Sequence, residues 1–412
     1  MDFKIFPRPK YDRAIFSLMP TILSHNLKVD IPDPHSEFIF KSKSILRHFE
    51  ESDITIIVII DALGVYQLRG KIYELWKEQG SIVLSSIFPT LTAPAILSIY
   101  AGLPPELHGI ISQKMYIPEI GNFVDTLRCR VLGAPRKLRD AGVNVESFLW
   151  EKPILAYVPE DVLVIEMLPY VLVREGGLRD FYAKYVESMP YELDIDLMYK
   201  IGAMLDYFIK KRRRALITLY ISYPDAIGHE IGTGTQNWGE LIDRIYSIAK
   251  KIIDITNDKS SIRIATYFVS DHGLMPIKHI VEISQEKAEI FAKTYDIRVF
   301  AKSGRFAFIY TTTELDRSEV EALFENKVIV VPTENILDYF WPRFNESKEK
   351  ILLRCGKYTV LYKDFVESII QRPDEDTSEL SELKKNLLLL GASHGGASQQ
   401  ELSSIFISHK NF

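Results

Sequence analysis

Along this chain, short unbroken apolar runs alternate with longer stretches in which apolar residues return every three or four positions. The clearest run is ITIIVII at 54–60, and similar runs lie at 81–88, 215–222 and 262–270. A β-branched run with no polar alternation reads as a strand covered on both faces, as in a parallel sheet. Between the runs, 197–211 and 240–255 carry an apolar stripe of helical period. Strands alternating with helices predict an α/β fold whose mainly parallel sheet is covered by helices on both sides. In such folds, sites form beyond the carboxyl ends of the strands.

Polar residues stand where the runs stop. Asp61 follows 54–60, Thr92 comes shortly after 81–88, Asp225 and His229 follow 215–222, and Asp271 and His272 follow 262–270. His394 lies apart, in SHGG near the end of the chain. Each has an ordinary structural explanation when taken alone: a turn aspartate, a helix-capping threonine, a helical i,i+4 pair, a turn histidine. Their common placement at strand ends is what sets them apart. Thr92 precedes Ala93-Pro94 and an apolar segment, which predicts it as the N-cap of a helix with proline in its first turn.

In chain order, IIDALG, FPTLTAPAILSIYAGLPPELHGI, YPDAIGHEIG, VSDHG and the HGG at His394 resemble the type I phosphodiesterase/nucleotide pyrophosphatase branch of the alkaline phosphatase superfamily. The resemblance extends over nearly the whole chain. It implies an alkaline phosphatase-like three-layer sandwich with an inserted cap lobe. It also implies two divalent ions, zinc by preference, with manganese or iron compatible with the mixed Asp/His shells. By the same resemblance, Asp225, His229 and His394 hold one ion, while Asp61, Asp271 and His272 hold the other with the Thr92 hydroxyl. Thr92 is then the nucleophile, and a phospho-threonine intermediate carries the hydrolysis of phosphodiester or nucleotide-like pyrophosphate bonds. A phosphomonoesterase or phosphomutase-like phosphotransferase is the alternative within the same chemistry. The ending HGGASQQE is also similar to PglZ domains, which opens the reading of a catalytically weak scaffold. The CxPxR-type motif of sulfatases is absent. Family members typically carry Asn three residues after the nucleophile, where this chain has Ala95. A missing amide donor to the phosphoryl oxygen is the expected consequence.

Between His272 and His394, RFAFIY, the helical pattern at 317–325 and KVIVV form a pattern of their own. The expected division is a core at 1–282, a cap lobe at 283–385, and the last part of the core at 386–412. The charged RPDEDTSELSELKK within the lobe reads as a solvated linker and helix. Composition is that of an ordinary globular protein, with 47% hydrophobic and 25% charged residues in 412. A net charge of -5 lacks the basic excess of a duplex-DNA binder, so a small phosphoester or nucleotide-like substrate is the expected partner. Two cysteines, Cys129 and Cys355, supply neither a disulfide framework nor a thiolate metal knot. A charged, proline-containing N-terminus and the lack of a bilayer-length apolar run predict a cytoplasmic protein that is not in a membrane. His108 reads as a structural turn residue, the basic run at 210–214 as a helix end, and Arg128 and Arg130 as surface cations.

Overall fold

Seven strands form the central sheet of the computed structural model, which describes residues 2–79, 82–346, 348–371 and 391–412. From one edge their order is Ile82–Ser85, Ser403–Lys410, Ile264–Val269, Ile54–Ile60, Arg214–Ile221, Val162–Met167 and Glu187–Ser188. The ITIIVII run occupies the middle and pairs in parallel with Arg214–Ile221 on one side and Ile264–Val269 on the other. Its side chains alternate between two cores: Ile57 and Ile59 enter one, while Ile54, Ile56, Val58 and Ile60 enter the other. Both faces are dry, so the run shows no polar alternation, and its single hydroxyl residue, Thr55, is itself buried.

Helices cover both faces. Asp194–Lys211 and Gln236–Asn257 lay Leu197, Ile201, Leu205, Ile242, Ile245 and Ile252 on one side. On the other, Thr92–Ala101 is buried at every one of its 10 residues, so it shows no amphipathic stripe. Each fully buried Leu or Ile contributes roughly 1.5–3 kcal/mol. The elements agree with the expected ones, with shifted bounds: 81–88 shortens to Ile82–Ser85, and the two helices begin several residues earlier.

One strand breaks the parallel pattern. Ser403–Lys410 runs antiparallel between Ile82–Ser85 and Ile264–Val269. Its first residue, Ser403, pairs with Ser85, so this strand starts at the edge where its parallel neighbours finish. The loop just before it, which carries His394, is therefore delivered to the carboxyl edge of the sheet.

Between His272 and His394 lies an antiparallel sheet in the order Ile297–Ser303, Phe306–Thr311, Tyr358–Tyr362, Val328–Pro332. One face meets Gln285–Thr294 and Arg317–Leu323 in a small apolar cluster with Val281 and Ile283. The other face sends Phe306, Phe308, Ile329 and Val331 into the main core. The expected linker at 372–385 lies outside the described residues. A three-stranded sheet, Lys114–Ile117, Asn122–Asp125 and Arg130–Val131, completes the fold beside the site. Among the described residues, no helix is long and apolar enough to cross a membrane.

Candidate metal centre and the cavity beside it

Parallel strands put their carboxyl ends on one edge, and that edge gathers the polar residues named above. Asp61 follows Ile60, Asp225 lies in the first turn of the helix Tyr223–Ile231 that follows Arg214–Ile221, and Asp271 and His272 follow Val269 and Ser270. Thr92 arrives on the buried helix and His394 on the loop before the last strand.

The side chains form two groups of possible ligand atoms, each group lying within 4.8 Å: Asp225 with His229 and His394, and Asp61 with Asp271 and His272. In the first, Asp225 Oδ1 is 3.4 Å from both His229 Nε2 and His394 Nε2. In the second, His272 Nε2 is 3.2 Å from Asp271 Oδ2 and 3.6 Å from Asp61 Oδ1. Thr92 Oγ1 sits 3.3 Å from the same His272 Nε2. The two groups touch through His272 and His394, whose rings stack with centroids 4.0 Å apart.

Backbone carbonyls fix the three imidazoles. His229 Nδ1 donates to Ala392 O at 2.8 Å, His394 Nδ1 to Thr90 O at 2.7 Å, and His272 Nδ1 to Gly273 O at 3.2 Å. With the proton held on Nδ1, each ring turns an Nε2 lone pair toward the carboxylates. Burial lowers the pKa of His272, and the neighbouring His394 and His229 lower it further, so it stands neutral.

The carboxylates are under the opposite strain. Burial pushes Asp61 upward, helped by the charges of Asp271 and Asp225, and burial raises Asp271 to about 6. Tyr220, kept protonated by burial and by Asp61, donates to Asp61 Oδ2. Ala62 N, in the left-handed region at φ 60, and His272 N donate to Asp271 Oδ1. One oxygen on each acid nonetheless lacks a hydrogen-bond partner: Asp61 Oδ1, Asp225 Oδ1 and Asp271 Oδ2. Buried anionic oxygens left bare are costly. Three of them facing three imidazole lone pairs match the donor set of two divalent ions.

Thr92 is not the N-cap. Leu91 holds the extended cap conformation and its carbonyl accepts Ala95 N at 3.0 Å, so Thr92 is the first helical residue. Its hydroxyl makes no capping bond and is free to face His272. Ala95 also departs from expectation. It is fully buried in the apolar core and absent from the cavity wall, so an amide there would enter the core rather than meet a phosphoryl oxygen. His108 is buried between Ser98 Oγ and Ile110 N, and burial lowers its pKa to about 3.

From Thr92, Asp61 and Asp225 a cavity of about 640 Å³ opens outward. Its wall carries Arg128, Arg130, Lys137 and Arg179 among Tyr100, Tyr182, Tyr220 and Tyr223. Arg128 pairs with Asp125 at 2.9 Å, Lys137 with Glu175 at 3.0 Å and Arg179 with Glu166 at 2.8 Å. Arg130, half-buried, has no acidic partner among the described residues. Arg128 and Arg130 thus belong to the cavity wall, Arg128 with its side chain still exposed and Arg130 half-buried, so the cations read as surface residues also line the cavity. Tyr220 was legible as a hydroxyl near the end of the strand that leads to Asp225. Arg179 and Tyr182 sit in a stretch without periodicity, and no sequence signal marked them.

The model of the type I phosphodiesterase / nucleotide pyrophosphatase family matches residues 55–337. This chain belongs to that family. Within the type I phosphodiesterase family, human ectonucleotide pyrophosphatase/phosphodiesterase family member 1 is 26% identical over 200 residues, a stretch covering 46% of this chain and 19% of that protein. An uncharacterized pyrophosphatase/phosphodiesterase of Schizosaccharomyces pombe is 25% identical over 198 residues, covering 46% of this chain and 37% of that one. The matched region is thus well under two thirds of either relative's length. Among solved structures, murine ectonucleotide pyrophosphatase/phosphodiesterase 5 superposes with a TM-score of 0.59 at 17% identity, covering 86% of this chain and 87% of that one. Phosphonoacetate hydrolase from Sinorhizobium meliloti follows at a TM-score of 0.55 and 18% identity, covering 87% and 90%. At these identities the neighbours show the shared alkaline phosphatase-like fold.

Proposed function

We propose that this chain hydrolyses phosphodiester or nucleotide-like pyrophosphate bonds, with Thr92 as nucleophile and two divalent ions, zinc by preference. Asp225, His229 and His394 would hold one ion; Asp61, Asp271 and His272 would hold the other beside Thr92. The observation that carries this reading is the set of three bare, buried carboxylate oxygens facing three Nε2 lone pairs next to the Thr92 hydroxyl. Bound ions would supply Lewis-acid stabilisation of the phosphoryl charge and favour the ionised hydroxyl at neutral pH.

The chain's own residues account for the rest. The Thr92 oxygen forms a bond to phosphorus as the bond to the leaving oxygen breaks, and water later cleaves the phospho-threonine. Thr92 opens a helix of 10 residues, whose positive end favours the phosphoryl group. Tyr220 steadies Asp61, and the backbone carbonyls on the three Nδ1 atoms hold the imidazoles in one tautomer.

Cavity size and charge favour a diester or pyrophosphate over a monoester. About 640 Å³ exceeds what one phosphoryl group fills, and Arg130, without an acidic partner among the described residues, offers its cation to a second anionic group. An inactive threonine-to-alanine variant of the murine structural neighbour was solved in complex with AMP, and a nucleotide-like substrate is the class we assign here. The unpaired, buried thiols of Cys129 and Cys355 accord with a cytoplasmic protein.

The test combines elemental metal analysis with hydrolysis of bis-p-nitrophenyl phosphate and p-nitrophenyl phosphate, before and after chelation and metal add-back. About two transition-metal ions per chain and diester turnover that chelation abolishes are expected. Metal-independent turnover overturns the reading; a monoester preference selects the phosphomonoesterase alternative, and metal binding without turnover selects the scaffold.

A further inference from the structure

The turn joining Ile297–Ser303 to Phe306–Thr311 belongs to the inserted sheet, yet it lies against the loop that carries His394. Arg305 N donates to His394 O at 2.8 Å. The approach is backbone to backbone: a Cβ on Gly304 would lie 2.0 Å from His394 O, and one on Gly395 would lie 2.7 Å from Ser303 O. Both glycines also have positive φ, 53 and 104, so neither position accepts another residue without strain.

Under this contact lies an ion pair closed to solvent. Arg305 is 1% exposed and Glu401 0%, and Arg305 Nη1 donates to Glu401 Oε2 at 2.7 Å. Arg305 Nε donates to the Val366 carbonyl, and Nη2 donates to those of Tyr362 and Lys363. The Glu401 carboxylate also accepts Gly396 N at 2.8 Å and Ser398 N at 3.0 Å. The segment from His394 to Ser398 is thus held at one end by the backbone N–H of Arg305 and along the rest by the Glu401 carboxylate, which the Arg305 guanidinium fixes in turn. A buried ion pair is not in itself a reason for stability; here its bonds converge on the loop of one imidazole.

We infer that Arg305 and Glu401 are positioning residues that set the His394 loop so that Nε2 faces Asp225, making the inserted sheet a structural part of one metal site. The inference rests on the two-metal reading above. The group of Asp61, Asp271 and His272 takes its orientation from strand ends and from Ser86 Oγ, which donates to Asp271 O at 2.5 Å. Glu401 also accepts Gly273 N through its backbone carbonyl, a bond that side-chain substitution leaves in place. Loss of the ion pair therefore weakens one site and spares the other.

Zn²⁺ binding to the chelated full chain, followed by calorimetry and by Co²⁺ absorption, tests this. The variants are Arg305→Met/Glu401→Gln, which removes both charges at similar volume, the conservative Arg305→Lys, and His394→Ala as reference. Affinity for one ion should fall about 10- to 100-fold in the double variant, the usual effect of removing a ligand's hydrogen-bonded support. The second ion should bind as in the parent, and Arg305→Lys should recover most of the loss. If His394→Ala loses one ion while the double variant binds both normally, the inference is overturned and the metal site stands. Equal weakening of both ions overturns it too, as general loosening. If His394→Ala still binds two ions unchanged, the metal reading itself fails and takes the inference with it. Should the double variant not fold, the same one-ion split in Glu401→Gln alone decides, its absence overturning the inference.

Discussion

In the proposed mechanism, the single hydroxyl of Thr92 is what separates catalysis from packing. It is the first helical residue, makes no cap, and faces His272 Nε2 at 3.3 Å. Thr92→Ala should lower diester turnover by at least ~10³-fold with the melting curve intact, as expected when a nucleophile is removed; full turnover in that variant refutes the covalent mechanism. Thr90 tests the contrast. Its hydroxyl accepts Gly395 N and donates to Gly396 O, but its carbonyl is what holds His394. Thr90→Ala keeps that carbonyl, so a loss of no more than about 10-fold is expected. Asp271 and Asp61, both raised by burial, share the pH dependence, and Asp271 offers the test. Its folded pKa of about 6 exceeds the ordinary 3.8, so the metal-free folded state binds the extra proton. Stability of the metal-free chain therefore falls as pH rises from about 4 to 6, while metal binding, which competes with that proton, strengthens over the same range. Melts with chelator should show Asp271→Asn gaining a few degrees over the parent at pH 7 and almost nothing at pH 4. An equal difference at both pH values contradicts the shift.

Elements rather than residues decide which atoms meet. The helix Tyr223–Ile231 sets Asp225 and His229 one turn apart, and two neighbouring parallel strand ends bring in the remaining acids, Asp61 and Asp271. Thr92–Ala101 was legible as a helix, but the burial of all its residues was not, because burial on every side leaves no periodic stripe to read. That burial changes the expectation for Ala95. Asn at this position enters the apolar core, so Ala95→Asn should cost about 1–3 kcal/mol of stability in denaturant titrations. It should also leave the ratio of diester to monoester kcat/KM unchanged; a selective rise in diester turnover means that the amide reaches the phosphoryl group after all.

On the scale of the whole molecule, the cavity is built from segments distant in sequence: the turn after Asn122–Asp125, the stretch near Arg179, and the end of Arg214–Ile221. Arg130→Ala should lower kcat/KM by about 10- to 100-fold for substrates with a second phosphate. A neutral-ended diester should change little; equal losses on both would place Arg130 outside substrate selection. The sequence by itself determined the α/β architecture, the buried strands and the strand-end residues from Asp61 to His272, because a dry strand and the turn that ends it are local patterns. It also carried the motifs of the family. What only the tertiary structure decided is where the remote pieces land. The final strand, Ser403–Lys410, runs antiparallel and so brings His394 to the shared edge. The inserted sheet buries Arg305 against Glu401, and Arg130, distant in sequence from Asp61 and Asp225, joins them on the wall of one cavity. These contacts depend on pairing direction and on packing between distant segments, and neither leaves a periodic trace along the chain.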